Sequence, residues 1–386
     1  MPNLYSGPLE PKLPHVGTTI FAVMSRLAAE HDAINLSQGF PDFPIADALI
    51  DRVRHYMKKG FNQYAPMSGA QPLREVIAEK VESLYGGRFH PETEITVTAG
   101  ATQGLFTAIQ SVIHPGDEVM VFLPAYDSYV PAIQLNRGVP VFIDLESPDF
   151  KIPWKKVRAA VTEKTRMIIL NTPHNPTGSV LSGKDLEELR DLVRGTDIIC
   201  LSDEVYEHII FDGREHQSLL RHPDLTERSF IVYSFGKTFH ATGWKMGYVL
   251  APANLMKEFR SVHQFTVYCC NTPIQMALAD FLRDRDNYMG IPDFYQEKRD
   301  CFLDLIRTSR FKGLPAAGSY FQVLDYSAIT DEKDTEFAAR LTRDAGVASI
   351  PVSVFYDRPV DNHVLRFCFA KQKETLERAA EILCTI

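Results

Sequence analysis

The sequence predicts an α/β protein with a large domain built on a mostly parallel sheet and a smaller α+β domain. The first observation is an alternation of short apolar runs with helical patterns through the central region. The second is a change after about residue 285 to a long helical pattern followed by isolated strands. The third is length, because 386 residues at roughly 150 residues per domain predict two or three domains.

Seven β-rich runs mark the predicted strands of the large domain. They are EITVTAG (94–100), DEVMVFLP (117–124), VPVFIDL (139–145), RMIILN (166–171), DIICLSDE (197–204), SFIVYSF (229–235) and GYVLAP (247–252). Several are apolar almost throughout, which is typical of strands covered on both faces. Between them, helical patterns such as ATQGLFTAIQSVI place Leu105, Ile109 and Val112 on one face. This alternation predicts right-handed crossovers.

The two ends of the chain differ from this centre. The stretch MPNLYSGPLEPKLPHVG predicts an extended arm, followed by a helix over 19–30 and a loop over 35–43. Beyond residue 285, GSYFQVLDY and VLRFCFA are strand-like segments among helical patterns. We therefore predict a large domain of residues 46–285, with residues 1–45 and 286–386 forming the arm and the small domain.

Composition limits the classes of partner. Forty-one basic and 49 acidic residues give a net charge of −8, which argues against general affinity for nucleic acid or anionic lipid. No run approaches the ~18 apolar residues of a membrane span, and no targeting signal is evident. The six cysteines show no CxxC and no metal-ligand spacing. We expect a cytoplasmic protein without a metal site.

The segment SFGKTFHATGWKMGY carries Lys237 in a turn after an apolar strand. A lysine there is usually a solvated loop residue. However, the strand before it looks buried, and Gly236, Gly243 and Gly247 suggest closely packed backbone. A buried lysine has a depressed pKa and becomes an amine nucleophile suited to Schiff-base chemistry.

Two further polar segments follow predicted strands. In NTPHNPTG, Asn175 lies where ligands bind in open α/β sheets, although a simple Pro/Gly/Asn turn is the alternative. In SDEVYEH, Asp203 at a buried strand end needs a cation or strong donor as partner. A helix-capping role for Asp203 is equally compatible with that segment.

The last two segments suit anionic groups. TAGATQG (98–104) forms a strand-to-helix turn whose free N–H groups could bind phosphate, although it is neither GxGxxG nor a P-loop. Arg366 lies in the strand-like run LRFCFA. It is either a half-exposed strand arginine or a bidentate partner for a substrate carboxylate.

Together these segments match the needs of pyridoxal 5'-phosphate (PLP). That cofactor needs an amine, a carboxylate for its pyridinium nitrogen, donors for its phenolic oxygen and an anion site for its phosphate. The groups that supply them are, in that order, Lys237; Asp203; Asn175 with Tyr206; and the 100–102 turn with Ser234 and Lys245.

The ordered set resembles the class I aminotransferases, which have the PLP-dependent transferase fold type I. The match covers nearly the whole chain, from NLSQGFPDF through NQYAPMSG, NTPHNPTG, SDEVYEH and SFGKTFHATGWKMGY to LRFCFA. Within the class, SQGFPDFP, ATGWK and IPVSVFY resemble the branch of bacterial methionine aminotransferases and kynurenine/glutamine aminotransferases.

The resemblance implies roles for individual residues around the cofactor. Lys237 forms the aldimine, and Asp203 contacts the pyridine nitrogen. Asn175 and Tyr206 contact the phenolic oxygen, while Tyr126 stacks on the ring. The implied phosphate contacts are Ala101, Thr102, Ser234 and Lys245. The catalytic residues would be Lys237, Asp203 and Tyr206.

The resemblance also implies a homodimer, because Tyr64 matches a tyrosine that reaches the phosphate of the neighbouring subunit. The Gly39 backbone, Asn175 and Arg366 would bind the substrate α-carboxylate. The implied side-chain pocket contains Phe21, Tyr126, Tyr268 and Phe355. For Phe21 and Tyr268, a place in the core is an equally good interpretation.

The side-chain pocket and the lysine at position 245 limit the range of substrates that we expect. Lys245 replaces the arginine of the aspartate aminotransferase pattern, as in the kynurenine-type branch. No second arginine is evident for a side-chain carboxylate, and an aromatic pocket suits methionine or aromatic side chains. The expected activity is ping-pong transfer of an amino group from such amino acids to a 2-oxo acid.

The sequence leaves two kinds of alternative open. The first is a kynurenine–oxoglutarate transaminase or a cysteine-S-conjugate β-lyase, which would use the same residues. The second is a catalytically silent PLP-binding regulator. The second is disfavoured, because the arm before residue 19 is too short for a DNA-binding appendage and the catalytic set is complete.

Overall fold

The computed structural model describes residues 7–386, so the first part of the predicted arm lies outside the described residues. The strands are β1 Ile34–Asn35, β2 Ile95–Thr98, β3 Glu118–Leu123, β4 Val139–Asp144, β5 Thr165–Asn171, β6 Ile199–Asp203, β7 Ser229–Ser234, β8 Gly247–Leu250, β9 Phe321–Asp325, β10 Val347–Ala348, β11 Ile350–Pro351 and β12 Val364–Cys368. The helices are α1 Ile20–Glu30, α2 Asp47–Lys58, α3 Gln71–Tyr85, α4 Ala101–Val112, α5 Tyr129–Leu135, α6 Trp154–Ala160, α7 Gly183–Val193, α8 Pro223–Thr226, α9 Phe235–Thr238, α10 Ala253–Thr266, α11 Thr272–Leu282, α12 Asp286–Met289, α13 Ile291–Leu305, α14 Asp334–Arg340 and α15 Lys373–Leu383.

Seven of these strands form one sheet in the order β2-β8-β7-β6-β5-β3-β4. Strands β3 to β7 pair in parallel, whereas β8 runs antiparallel to both of its neighbours. Six of these strands fall within the predicted runs, and β5 begins one residue before its run, at Thr165. The predicted mostly parallel α/β sheet is therefore confirmed.

Side chains of the parallel strands pack on both faces of this sheet. Along β3, Val119 and Val121 join one core cluster, whereas Met120 and Phe122 join the other. This division follows from the two-residue period of a strand. The predicted α4 face, with Leu105, Ile109 and Val112, packs into the same cluster as Val119.

Helix ends follow local sequence signals. Ser182 and Asp185 form a capping box at the start of α7, each side chain bonding to the other residue's backbone N–H. Helix α3 has proline in its first turn and ends at Gly86 in the left-handed conformation. These signals keep the helices short enough to return the chain to the sheet.

The remaining strands join the two chain ends. Strands β11, β12 and β9 form an antiparallel sheet in that order. Strand β1 pairs in parallel with β10, so Ile34 lies beside Val347. The N-terminal segment therefore packs with the C-terminal region. The boundaries at residues 45/46 and 285/286 stay a prediction. No helix between residues 7 and 386 has the length and apolar character needed to span a membrane.

Candidate active site

A cavity of about 230 Å³ lies where β5, β6 and β7 reach their carboxyl ends, as the rule for open α/β sheets predicts. Most of the predicted site residues line it: Phe21, Gly39, Ala101, Thr102, Tyr126, Asn175, Asp203, Tyr206, Ser234, Lys237, Lys245 and Arg366. Phe355 lies just outside this lining, with its ring centroid 5.9 Å from that of Phe21. Tyr64 and Tyr268 also lie outside this lining.

Lys237 enters the cavity from the short helix α9, whose N-cap is Ser234. Its Nζ donates to the hydroxyl of Tyr320 at 2.8 Å and to the carbonyl of Gly39 at 3.2 Å. Loss of water around the amine, with the nearby charges of Arg366 and Lys245, lowers the pKa of Lys237 to about 8. The solvated-loop interpretation of Lys237 is therefore wrong.

Asp203 is buried at the end of β6 without a salt bridge to any lysine or arginine among residues 7–386. Its Oδ2 instead accepts a 2.6 Å hydrogen bond from the hydroxyl of Tyr129. Burial raises the pKa of Asp203 to about 6, although the bond from Tyr129 opposes the rise. The strong donor that the sequence required is thus a tyrosine that sequence reasoning missed.

Arg366 is fully buried on β12, so the half-exposed interpretation of this arginine is wrong. Its Nη1 donates to Asn175 Oδ1 and its Nη2 to the carbonyl of Ser37, both at 2.8 Å. Its Nε is buried and has no hydrogen-bond partner in the described range of residues 7–386. Burial lowers the pKa of Arg366 to about 10. The guanidinium thus retains hydrogen-bonding capacity next to the cavity.

Asn171, which the sequence analysis did not single out, joins two of the predicted segments. Its Oδ1 accepts from the backbone N–H of Asn175 at 2.8 Å, and its Nδ2 donates to the carbonyl of Asp203 at 2.9 Å. Asn171 is the last residue of β5 and Asp203 the last residue of β6. This side chain therefore fixes the two strand ends relative to each other.

One end of the cavity is suited to an anion. Helix α4 begins after Gly100, which has a φ of 77°. A Cβ at Gly100 would lie 3.4 Å from Lys245 Nζ, so the amine sits beside the helix start. The hydroxyl-bearing residues Thr102 and Ser234 line the same cavity. Free N–H groups, an ammonium group and hydroxyls together form a suitable site for a phosphate.

The three glycines predicted to pack closely around Lys237 differ in the space around them. A Cβ at Gly247 would lie 2.6 Å from the carbonyl oxygen of Tyr233, and one at Gly236 would lie 3.0 Å from Thr242 Cα. These two glycines are closely packed, as predicted. Gly243 has open space around its missing side chain, so the prediction of close packing was wrong there.

Tyr64 and Tyr268 lie on the surface, where their ring centroids are 5.5 Å apart. Tyr64 is 82% exposed. Tyr268 is half-exposed, so the alternative interpretation that it lies in the core is wrong. Phe21 is only partly buried and lines the cavity.

Comparison with known proteins defines the class. A family model for aminotransferases of class I and II matches residues 31–383. The chain belongs to this family, and the protein is an aminotransferase.

Its relatives include enzymes of the predicted branch. Methionine aminotransferase of Escherichia coli is 49% identical over 98% of this chain and 99% of its own length. Kynurenine–oxoglutarate transaminase 1 of Mus musculus is 35% identical over 94% of this chain and 93% of its own. The crystal structure of an E. coli protein with a methionine aminotransferase function is also 49% identical in sequence. The match covers 98% of this chain and 100% of that chain, with a TM-score of 0.96.

Proposed function

We propose that this aminotransferase binds PLP on Lys237 and moves the amino group of methionine or aromatic L-amino acids to a 2-oxo acid in a ping-pong cycle. One observation carries the proposal. A lysine with a pKa near 8, a buried carboxylate and a buried arginine with an unpartnered N–H line the same cavity of about 230 Å³. A lysine nucleophile, an electrostatic partner for a ring nitrogen and a carboxylate-binding group are the three elements of this chemistry.

The polar groups along the cavity fit each of the polar groups of PLP. Lys245, Ser234 and the start of α4 suit the phosphate, while Asp203 suits the ring nitrogen. The Tyr206 hydroxyl and the Asn175 amide suit the phenolic oxygen. The orphaned Nε of Arg366 still requires an acceptor, which a substrate carboxylate would provide.

The residues have distinct tasks in the reaction. When bound, PLP supplies an electron-accepting ring that stabilises negative charge at the substrate Cα. Arg366 holds the α-carboxylate and so orients the Cα–H bond. The neutral Lys237 amine takes the Cα proton and later returns it. The Asp203 carboxylate keeps a proton on the ring nitrogen.

The lining of the cavity favours donors with uncharged side chains. The cations that line it among the described residues are Lys237, Lys245 and Arg366. The first two are assigned to PLP and the third to the α-carboxylate. No lining cation is then left for a side-chain carboxylate, whereas the rings of Phe21 and Tyr126 suit a thioether or an aromatic group.

The exposed aromatic residues support a homodimer. Tyr64 and Tyr268 are exposed aromatic residues whose rings pack against each other on the surface, with centroids 5.5 Å apart. We propose that a second copy covers this surface and that Tyr64 reaches the phosphate end of the neighbouring cavity, as the resemblance to class I aminotransferases implies. The subunits would then share their active sites.

The kynurenine–oxoglutarate transaminase relative favours a second candidate, in which kynurenine is the preferred donor. A cysteine-S-conjugate β-lyase would use the same residues on substrates with a leaving group at Cβ. The reaction products separate these activities. Release of pyruvate and ammonia without any acceptor would favour the lyase.

The test uses the purified protein saturated with PLP. Methionine, phenylalanine and kynurenine are added separately without acceptor, and the visible absorption of bound PLP is followed. We expect its loss, release of the matching 2-oxo acid and recovery of absorption when a 2-oxo acid is added. A spectrum that none of the donors changes, or identical behaviour of Lys237→Ala, would contradict the proposal.

A further inference from the structure

We propose that Tyr320 is a positioning residue for Lys237: its hydroxyl, together with the Gly39 carbonyl, takes up the two N–H groups of the neutral amine. The nitrogen lone pair is then left free to receive a proton from the substrate. This inference rests on the proposed function, because it assigns Tyr320 to the same proton transfer.

The hydrogen-bond directions follow from the number of hydrogens available. Tyr320 Oη lies 2.5 Å from the Gly39 carbonyl oxygen, which can only accept, so the single hydroxyl hydrogen points there. The hydroxyl oxygen must therefore accept from Lys237, whose Nζ is 2.8 Å away. The same carbonyl lies 3.2 Å from Nζ and can accept the second N–H. Lys237, Tyr320 and Gly39 thus form a closed triangle of hydrogen bonds.

The two acceptors are held by the fold. Tyr320 is fully buried, and its ring packs edge-on against Tyr206 at 5.1 Å and Phe321 at 4.9 Å between centroids. Its carbonyl accepts from the backbone N–H of Phe369 at 3.1 Å. Gly39 is equally confined, because a Cβ there would lie 2.7 Å from Phe321 Cζ.

This arrangement has a chemical consequence. A neutral amine carries two N–H groups and one lone pair in roughly tetrahedral positions. When Tyr320 and Gly39 accept both N–H groups, rotation about the Cε–Nζ bond is restricted and the lone pair keeps one direction. Lys237 then accepts the Cα proton on that lone pair and becomes an ammonium group whose third N–H is the transferred proton. Preorganisation of this kind lowers the cost of aligning the base.

Tyr295 provides a matched control. It is also fully buried, and its ring centroid lies 5.9 Å from that of Tyr320. Its hydroxyl is 2.9 Å from His240 Nδ1 and forms no hydrogen bond with Lys237. Tyr295→Phe therefore removes one buried hydroxyl from the same cluster without changing the partners of the lysine.

The experiment compares the wild type, Tyr320→Phe and Tyr295→Phe as PLP-loaded proteins in stopped-flow reactions with methionine. For Tyr320→Phe we expect the saturating rate of absorbance loss to fall about tenfold, the scale of one hydrogen bond, with half-saturation by methionine unchanged. Tyr295→Phe should react at the wild-type rate. If the wild type reacts and Tyr320→Phe is equally fast, the role of Tyr320 is overturned; if the wild type itself does not react, the proposed function fails.

A second measurement is independent of turnover. PLP is added to cofactor-free protein, and covalent attachment is trapped with borohydride and quantified by mass spectrometry. Attachment to Tyr320→Phe should be several-fold slower than to Tyr295→Phe and should reach the same final amount. Equal rates would contradict the proposal.

A third measurement needs no variant. In a crystal structure of the wild type with pyridoxamine phosphate, Lys237 is a free amine. We expect its Nζ within hydrogen-bonding distance of Tyr320 Oη. An amine directed away from Tyr320 would overturn the inference, even if Tyr320→Phe does not fold.

Discussion

Arg299 and Arg366 are both buried arginines, but their partners differ. Arg299 bonds to both oxygens of Asp212, at 2.9 and 2.6 Å, and also bonds to Asp300 and the carbonyl of Ala316. Burial alone would lower its pKa, yet the bonds to the two aspartates raise it. Arg366 has no carboxylate partner among residues 7–386, and burial lowers its pKa to about 10.

Lys80, which is buried, and Lys237, which is partly buried, differ in their partners in the same way, although burial lowers the pKa of both. Lys80 forms a buried ion pair with Glu207. Although burial opposes ionisation of that glutamate, Lys80 and His208 lower its pKa to about 2. Within the described part of the chain, the Lys237 amine forms hydrogen bonds only with the uncharged Tyr320 and Gly39.

The difference separates structural cations from those held for a ligand. A buried charge without a counter-ion destabilises a fold, so its presence calls for an explanation. For Arg299 and Lys80 the counter-ion is part of the chain. For Arg366 and Lys237 the cavity beside them leaves room for one, and the proposed PLP and substrate provide it.

The largest expected effect is on the rate of amino transfer, and it distinguishes Lys237 from Lys80. Lys237→Ala should lower the rate of amino transfer by about 10⁴-fold, because the base and the covalent attachment are both lost. Its free energy of unfolding should stay within ~1 kcal/mol of the wild type, since no ion pair is broken. Lys80→Met should instead lower that free energy by about 3–5 kcal/mol, because Glu207 is left buried without its partner. Single-turnover rates and urea denaturation measure the rate and the free energy of unfolding of each variant. A stability loss in Lys237→Ala with normal stability in Lys80→Met would refute the distinction between structural and ligand-binding cations.

The two arginines should differ in the same way on a smaller scale. Arg366→Gln should raise KM for methionine by about 100-fold, because the charge-assisted bonds to the α-carboxylate are lost. Arg299→Gln should leave KM unchanged and lower the free energy of unfolding by about 2 kcal/mol. Steady-state kinetics and urea denaturation measure the two effects. An unchanged KM in Arg366→Gln would remove this arginine from the substrate site.

A third comparison concerns two buried tyrosines that bond to carboxylates. Tyr129→Phe removes the donor to Asp203, so the pKa of that carboxyl should rise above about 6 and more of it is neutral near pH 7. A neutral carboxyl no longer stabilises a protonated ring nitrogen. We expect about a tenfold slower amino transfer at pH 6.5 and a smaller loss at pH 8.5.

Tyr233→Phe is the control for that prediction. Its hydroxyl lies 2.9 Å from a carboxylate oxygen of Glu204, the residue after Asp203, and Glu204 does not line the cavity. Rates for this variant should match the wild type at both pH values. A loss in Tyr129→Phe that does not depend on pH would show that the tyrosine acts by packing alone.

The sequence predicted the parts of the site that depend on local pattern. Apolar runs mark buried strands, and polar residues at or shortly after their ends, such as Asp203 and Asn175, must lie at one edge of a parallel sheet. The strand order and the antiparallel direction of β8 could not be predicted, because a two-residue period does not identify neighbours.

Residues that act through distant partners were also missed. Tyr129 meets Asp203 across 74 positions, and Tyr320 meets Lys237 across 83. Nothing in LPAYDSY or GSYFQVLDY distinguishes these tyrosines from core aromatics. For Arg366 the sequence left two interpretations open, and only burial separated them.

The smallest expected effect is the pH dependence that follows from burial of Lys237. Only the neutral amine attacks an aldehyde, so attachment of PLP to cofactor-free protein should speed up with pH and level off above the pKa of about 8. The neutral fraction rises from about a tenth at pH 7 to about a half at pH 8, which gives roughly a fivefold faster rate. An exposed lysine would gain about tenfold per pH unit without levelling off below pH 10.

In Arg366→Gln a positive charge that lowers this pKa is absent, so the rate should level off at higher pH. A midpoint that does not move would show that Arg366 has no electrostatic effect on the lysine.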